Sequence, residues 1–326
     1  MKILLLGAGP RLAWVRSVLE TLHAPAGAPS ETGAGIVVVE GPPTHERLVA
    51  LTERPIDALV LVDHFPFADG AVPEAAALVE AVRGEAQRAV FARELARHAA
   101  RTLCLSGDDS GNWAATLSAL LAVPPPAEGP GSPDGSPEGP PWGTCPPPAG
   151  PGTSVATPLL QSYLEPLFAA AGQIGSEGQS GSERHSGSTL TLELAWPREA
   201  FLDGDAPGET LPATVEVAGR ARILAYGPYL PLPAGDWHAT AFLGFSPDIG
   251  RLPFILEADT GGAVARGFFE VERGGIFTLE LEFQVSDALH PVELRLISQD
   301  SALEGQLALI EVELKQSPSP APASPQ

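Results

Sequence analysis

Basic residues, and lysine above all, are scarce in this chain of 326 residues. Lys2 and Lys315 are the two lysines, and Lys plus Arg number 19 against 40 Asp plus Glu, which gives a net charge of −21. Residues 189–326 alone carry 20 acidic against 8 basic side chains, so the second half holds most of the negative charge. A surface of this sign repels phosphate backbones and anionic lipid, so we expect neither nucleic acid nor a membrane as partner.

Cysteine is nearly absent as well, since Cys104 and Cys145 are the two in the chain. Two cysteines so far apart predict neither a disulfide framework nor a metal quartet, and we expect a reducing, cytoplasmic location. No apolar run approaches the 18 residues that a membrane-spanning helix needs. The apolar stretch from Met1 to Gly9 is short and ends at Pro10, so we interpret it as a first strand and not as a signal peptide.

The first 122 residues alternate short apolar runs with helical periodicity. The runs suit strands that are buried on both faces, and they are Lys2–Leu6, Ile36–Val39, Ala58–Val62 and Thr102–Leu105. Helical spacing follows each run, at Arg11–Leu22, Thr44–Thr52, Glu74–Ala100 with a break near Gly84, and Asn112–Leu121. Strands that alternate with helices predict a small doubly wound parallel sheet, which is an α/β domain.

Proline and glycine, with 35 residues each, are concentrated in the middle of the chain and mark a boundary. We predict that residues 123–188 form a disordered linker, because so few apolar side chains cannot offset the entropy of ordering. Within it, residues 158–171 have the spacing of one short amphipathic helix. Residues 316–326 are rich in Ser and Pro and are predicted to be a disordered tail.

Residues 189–315 alternate apolar and polar side chains with a period of two. In Ile276–Val285, for example, Phe277 and every second residue after it are apolar, whereas the residues between them are polar. This pattern is typical of an antiparallel strand with one solvated face. Eight or so such strands with turn signals between them predict a sandwich or a barrel, and we expect an antiparallel β-sandwich. The expected fold class is therefore α/β plus all-β.

One turn in the second half resembles the hairpin of jelly-roll carbohydrate-binding modules. It runs from Tyr226 through Pro231-Leu232-Pro233-Ala234-Gly235 to Trp237 and leads into an apolar strand. The resemblance implies a non-catalytic glycan-binding protein linked to surface-polysaccharide production, in which Trp196, Tyr226 and Tyr229 stack on sugar rings. Trp237 shares its period with the apolar residues that follow it, so we assign it to the core. A protein partner for the sandwich remains an alternative.

The carboxyl ends of the predicted parallel strands supply a second candidate site. Gly7 and Gly9 are the first two glycines of a dinucleotide-binding loop, and Glu40 has the place of a ribose ligand. Leu12 stands where the third glycine is expected. The alternative function is thus a nucleotide- or nucleotide-sugar-dependent enzyme, although we expect no bound cofactor.

Asp63 supports a third interpretation of the first half. The run from Ile56 to Asp63 resembles the third strand of response-regulator receivers, which implies a phosphorylated Asp63. The acidic pair that receivers place after the first strand is replaced by Gly7-Ala8-Gly9-Pro10, so Mg²⁺ would lack most of its oxygen ligands. This resemblance therefore implies a degenerate receiver that acts as a signalling scaffold. No catalytic constellation stands out, and the sequence gives no oligomeric state.

Overall fold

The computed structural model describes residues 2–7, 9–23, 35–39, 43–62, 75–105, 113–121, 160–164, 166–167 and 191–317. By its internal contacts the chain divides into two units. The first comprises residues 1–72, 92–155 and 171–181, and the second comprises residues 73–91, 156–170 and 182–326. None of the described helices is long and apolar enough to cross a membrane.

The front of the chain is a four-stranded parallel sheet with helices, as predicted. Its strands are β1 (Lys2–Gly7), β2 (Gly35–Val38), β3 (Ala58–Val62) and β4 (Thr102–Leu105). Its helices are α1 (Gly9–His23), α2 (His45–Thr52), α3 (Ala75–His98, of which residues up to 91 group with the second unit) and α4 (Trp113–Leu121). The strand order is β2-β1-β3-β4 with every pair parallel.

Burial explains why these segments form this sheet. All five residues of β3 are buried, and alternate ones, Ala58, Val60 and Val62, share a core with the apolar side of α1. Helix α2 begins after Thr44, whose hydroxyl accepts a hydrogen bond from the backbone N–H of Arg47 at 3.3 Å, as an N-cap does. Helix α3 continues through Gly84, so the predicted break there is wrong. One helical glycine costs only about 1 kcal/mol, which the remaining turns of a 24-residue helix offset.

The rear of the chain is a β-sandwich of two antiparallel sheets. Its strands are β5 (Glu193–Pro197), β6 (Leu202–Asp203), β7 (Val215–Glu216), β8 (Arg222–Pro231), β9 (Gly235–Phe245), β10 (Leu252–Asp259), β11 (Val264–Val271), β12 (Gly275–Val285), β13 (Pro291–Ser298) and β14 (Gln306–Gln316). One sheet has the order β11-β10-β13-β8-β6. The other has the order β12-β9-β14-β5, and β7 pairs with β14. The fold is thus an α/β domain followed by a β-sandwich.

The alternation seen in the sequence separates the two faces of each sheet. In β9, residues 237, 239, 241, 243 and 245 are buried, whereas the residues between them are partly exposed. Trp237 is 1% exposed and lies in the core, and its indole N–H donates to the carbonyl of Pro233 at 2.9 Å. The core of the sandwich is thus built from the alternate, inward-facing residues of strands such as β9.

Part of the predicted linker packs against the sandwich. Residues Leu160–Leu164 form a π-helical turn inside the range where a short helix was expected. Tyr163 is fully buried, and its hydroxyl donates to the carbonyl of Pro231 at 2.5 Å. The hydroxyl of Ser162 donates to the carbonyl of Ala195 at 3.0 Å. This turn therefore closes one side of the sandwich core.

Candidate binding face on the β-sandwich

The outer face of the five-stranded sheet carries two adjacent rows of side chains that cross four strands. The first, here called the ionic row, has one residue each from β11, β10, β13 and β8: Arg266, Glu257, Arg295 and Tyr226. The second, here called the apolar row, is the next outward row; it lies two residues away on β11, β10 and β13 and three residues away on β8, and its members are Phe268, Ile255, Ile297 and Ile223. Opposite residues in antiparallel strands have Cβ atoms about 5 Å apart, so each row is continuous.

Glu257 joins the strands of the ionic row. Its side chain is only 7% exposed, and it accepts hydrogen bonds from two guanidinium groups. Arg266 Nε donates to Oε2 at 2.6 Å, and Arg295 Nη1 donates to Oε1 at 2.8 Å. A buried carboxylate is stable only when it is paired in this way. The two arginines therefore fix the position of Glu257 and are fixed by it.

Glu293 continues this network toward β8. It lies two residues before Arg295 on β13 and accepts a hydrogen bond from Arg295 Nη2. Its other oxygen accepts a hydrogen bond from the Tyr229 hydroxyl at 2.7 Å. Asp259 lies beside it on β10, 3.4 Å from Arg295 Nη2. Three carboxylates thus surround one guanidinium group at the centre of the outer face.

A β-bulge brings Tyr229 onto this face. In the pairing of β13 with β8, Val292 is opposite Leu230 but Glu293 is opposite Pro228, so Tyr229 is the extra residue. Its φ is +61°, a left-handed conformation that costs a bulky side chain energy. Bulges re-aim side chains and are common at functional sites. Here the bulge sets the Tyr229 ring edge-to-face with Tyr226, with ring centres 6.2 Å apart.

Arg83, which groups with the second unit, holds the bulge in place. Its Nε donates to the carbonyl of Tyr229 at 2.9 Å, and its Nη2 donates to the carbonyl of Pro228 at 3.3 Å. The guanidinium carbon lies 6.0 Å from the centre of the Tyr229 ring, which is the range of a cation–π contact. One side chain thus contacts both the backbone and the ring of the bulged residue.

The titration behaviour of the network follows from these contacts. Burial raises the pKa of Glu257, but the hydrogen bonds from Arg266 and Arg295 outweigh it and leave this pKa below its usual value. Burial and the adjacent Glu293 carboxylate both raise the pKa of Tyr229. The hydrogen bond to Glu293 likewise raises the pKa of Arg295. At neutral pH Glu257 is therefore ionised, Arg295 is charged and Tyr229 is a neutral phenol.

The three aromatic residues predicted to contact a ligand have different surroundings. Tyr226 and Tyr229 are partly exposed and lie together on the outer face. Trp196 is fully buried, with its ring centre 6.3 Å from that of Tyr163 and 6.4 Å from that of Phe201. Its ring is therefore unavailable for stacking on a sugar, and we remove it from the candidates. The period of two shared with Leu192 and Leu194 indicates this inward orientation in the sequence itself.

The proposed nucleotide and receiver sites are only partly described. Gly7 ends β1 opposite Val62, and a Cβ at Gly7 would lie 2.4 Å from the Val62 carbonyl oxygen. The close pairing of β1 with β3 is thus enough to explain a glycine at position 7, and no bound ligand is needed to account for it. Gly9 begins α1, whereas Glu40 and Asp63 lie outside the described residues.

The strand order of the first sheet can be compared with the order expected for a dinucleotide-binding domain. The order β2-β1-β3-β4 places the reversal of the sheet between β1 and β3, as in flavodoxin-like sheets. Sheets of the classic dinucleotide fold instead place the reversal between the first and fourth strands.

Within the described ranges, no group of three or more His, Cys, Asp or Glu side chains is placed to hold a metal ion.

No protein-family model matches the chain, and no curated protein matches it either. Among solved structures, it is similar to the Clostridium thermocellum endo-1,4-beta-D-xylanase 10B modules complexed with xylohexaose, at 10% identity and a TM-score of 0.24, over 34% of this chain and 26% of that chain. It is also similar to the K1 cleaved adhesin domain of Lys-gingipain from Porphyromonas gingivalis, at 14% identity and a TM-score of 0.29, over 38% and 98% of the two chains. A family 16 carbohydrate-binding module matches at 14% identity and a TM-score of 0.23, over 36% and 84%. At these values the ligand of this chain has to be argued from its own side chains.

Proposed function

We propose that this chain is a non-catalytic sugar-binding protein and that its site is the outer face formed by β8, β13 and β10. The observation that carries the proposal is the Tyr226–Tyr229 pair beside the network of Glu257, Glu293 and Arg295. A sugar ring has apolar faces and a rim of hydroxyl groups. An aromatic ring suits the apolar face, and carboxylates and guanidinium groups suit the hydroxyls.

Preorganisation supports the same conclusion. The carboxylates of Glu257 and Glu293 already have hydrogen-bonded partners, and Arg83 fixes the backbone of the bulge. Polar groups held in this way lose little freedom when a ligand arrives. The link to surface-polysaccharide production and the cytoplasmic location remain predictions from the sequence.

Affinity electrophoresis of the full chain through gels that contain neutral polysaccharides tests the proposal. We expect retardation by at least one polymer. We expect Tyr229→Ala and Tyr226→Ala each to weaken binding about tenfold, the effect of losing roughly 1.5 kcal/mol of aromatic contact. The matched control is Phe242→Ala, since Phe242 is a partly exposed aromatic residue on the outer face of the other sheet.

Two results count against this assignment. One is free migration of the unmodified chain through every gel. The other is an equal loss of binding in the Phe242 variant, which places the site on the opposite sheet. Thermal melts of all variants distinguish loss of contact from loss of fold, and Glu293→Gln supplies a second variant that keeps both aromatic rings.

A further inference from the structure

Strand β11 is an exposed edge with an unusual arrangement of side chains. It is the terminal strand of its sheet, and no strand of the described part of the chain pairs with its outer side. Its pairing with β10 is regular over all eight residues, without a bulge. It contains no proline. Long, regular edges of this kind are open to pairing with another strand, which natural proteins normally prevent.

The outward residues of β11 are self-complementary. Arg266, Phe268 and Glu270 are consecutive on the outer face, and all three are exposed. If two copies of β11 pair antiparallel around a two-fold axis at Phe268, residues whose numbers are equally far from 268 are opposite each other. Phe268 then contacts Phe268 of the second copy. Arg266 of each copy is opposite Glu270 of the other, so the interface contains two such ion pairs. Opposite charges and aromatic pairs at such positions stabilise a sheet, whereas like charges destabilise it.

The neighbouring side chains fit the same arrangement. Within one chain, Arg266 is paired with Glu257, and Glu270 is paired with Arg251. Across the axis the signs of charge would therefore alternate without interruption, from Glu257 to Arg266 and then to Glu270 and Arg251 of the second copy. The apolar row, which ends at Phe268, would continue directly into the apolar row of the second copy.

We infer from this that the chain forms a homodimer by antiparallel pairing of β11 with β11 of a second copy, centred on Phe268. The interface is isologous, as closed two-fold dimers require. It joins two five-stranded sheets into one ten-stranded sheet with both outer faces on the same side. This places two copies of the Tyr226–Tyr229 face in one plane, although the dimer itself does not depend on sugar binding.

Sedimentation velocity of the full chain over a wide range of concentration tests the inference. We expect a monomer–dimer equilibrium. Phe268→Glu puts two carboxylates opposite each other on the axis, and we expect it to raise the dimer dissociation constant at least about tenfold. Ile276→Glu is the matched control, because Ile276 is 75% exposed against 67% for Phe268 and lies on β12, the edge of the other sheet. This control is expected to leave the equilibrium unchanged.

A cysteine at the axis tests the register. In a chain whose Cys104 and Cys145 are replaced by serine, we expect Phe268→Cys to give a disulfide-linked dimer on mild oxidation, because opposite Cβ atoms are close to bonding distance. Ile276→Cys under the same conditions is expected to remain unlinked. A chain that is monomeric at all concentrations, or a dimer that persists in Phe268→Glu, overturns the inference.

Discussion

The hydroxyl of Tyr229 donates a 2.7 Å hydrogen bond to Oε1 of Glu293, while Arg83 donates to the backbone carbonyl of the same tyrosine. We expect Tyr229→Phe to destabilise the protein by about 1.5 kcal/mol, since one hydrogen bond to a charged group is lost. The ring is retained, so the loss of sugar affinity should be smaller than in Tyr229→Ala. Urea unfolding and gel retardation of the same samples measure the two effects. Equal affinities for the Phe and Ala variants would indicate that the hydroxyl, and not the ring, contacts the sugar.

Glu257 links stability to acid pH. We expect Glu257→Gln to cost about 1.5 kcal/mol at neutral pH, because Arg266 and Arg295 lose their shared carboxylate although Arg295 keeps Glu293 as a partner. The pKa of Glu257 is lowered in the folded chain, so its stabilisation is present above the unfolded pKa and is lost as the pH falls through the folded pKa. The difference in free energy of unfolding between the two proteins should therefore narrow as the pH falls below the ordinary glutamate pKa of about 4.3.

Denaturant titrations at a series of pH values check this dependence. Glu282→Gln is the control, since Glu282 is an exposed carboxylate on the outer face of the other sheet. A gap between the Glu257 variant and the unmodified protein that stays constant as the pH falls contradicts the assignment of an ionised, stabilising Glu257.

Gly7 is predicted to contribute to the stability of the first unit. A methyl group at this position would lie 2.4 Å from the carbonyl oxygen of Val62, so one of the two strands has to move. We expect Gly7→Ala to cost roughly 2 kcal/mol, as overpacked cores do. Gly35→Ala is the control, because a Cβ there has no neighbour within 4 Å. Thermal melts that show equal effects for the two variants would disprove this explanation of Gly7.

Tyr163 is predicted to contribute to the stability of the sandwich. Its hydroxyl is fully buried and donates to the carbonyl of Pro231 at 2.5 Å. We expect Tyr163→Phe to lower the free energy of unfolding by about 1.5 kcal/mol and Tyr163→Ala by roughly 4 kcal/mol, since the latter also leaves a cavity beside Trp196. The control is Tyr226→Phe, in which a 3.3 Å bond from the N–H of Gly208 is affected on a partly exposed face. Urea titrations in which both Tyr→Phe changes cost the same would contradict the prediction.

Periodicity was sufficient to predict the fold class. The strand expected at Ile276–Val285 is β12, Gly275–Val285, and the four apolar runs of the first half are β1 to β4. Strand β2 is partly exposed, however, and is not buried on both faces as expected. The strict alternation in β12 is specific for a strand, whereas the short runs of the first half were recognised by their length and by the helical spacing that follows each of them. Gly84 shows where a local signal misleads. The low helix propensity of this one residue costs less than the rest of α3 contributes, so the helix continues through it.

The binding face required information that local sequence does not contain. Arg295 and Glu257 are 38 residues apart, and Arg83 and Tyr229 are 146 apart, so their contacts depend on strand register and on long-range packing. The bulge that turns Tyr229 outward is a register shift between β8 and β13, which neither strand reveals by itself. The inward orientation of Trp196, by contrast, was visible in its alternation with Leu194, and the proposed exposure overlooked it.

The buried π-helical turn at Leu160–Leu164 has a practical consequence for anyone who shortens this chain. Tyr163, Leu164 and Leu167 are at most 1% exposed, and the Tyr163 ring lies edge-on to that of Trp196. A fragment that starts at residue 189 would leave that indole facing water and would lack the hydrogen bond to Pro231. Such a fragment is expected to be prone to aggregation. A fragment that begins before residue 156 keeps the turn at Leu160–Leu164, and with it the contact between Tyr163 and Trp196.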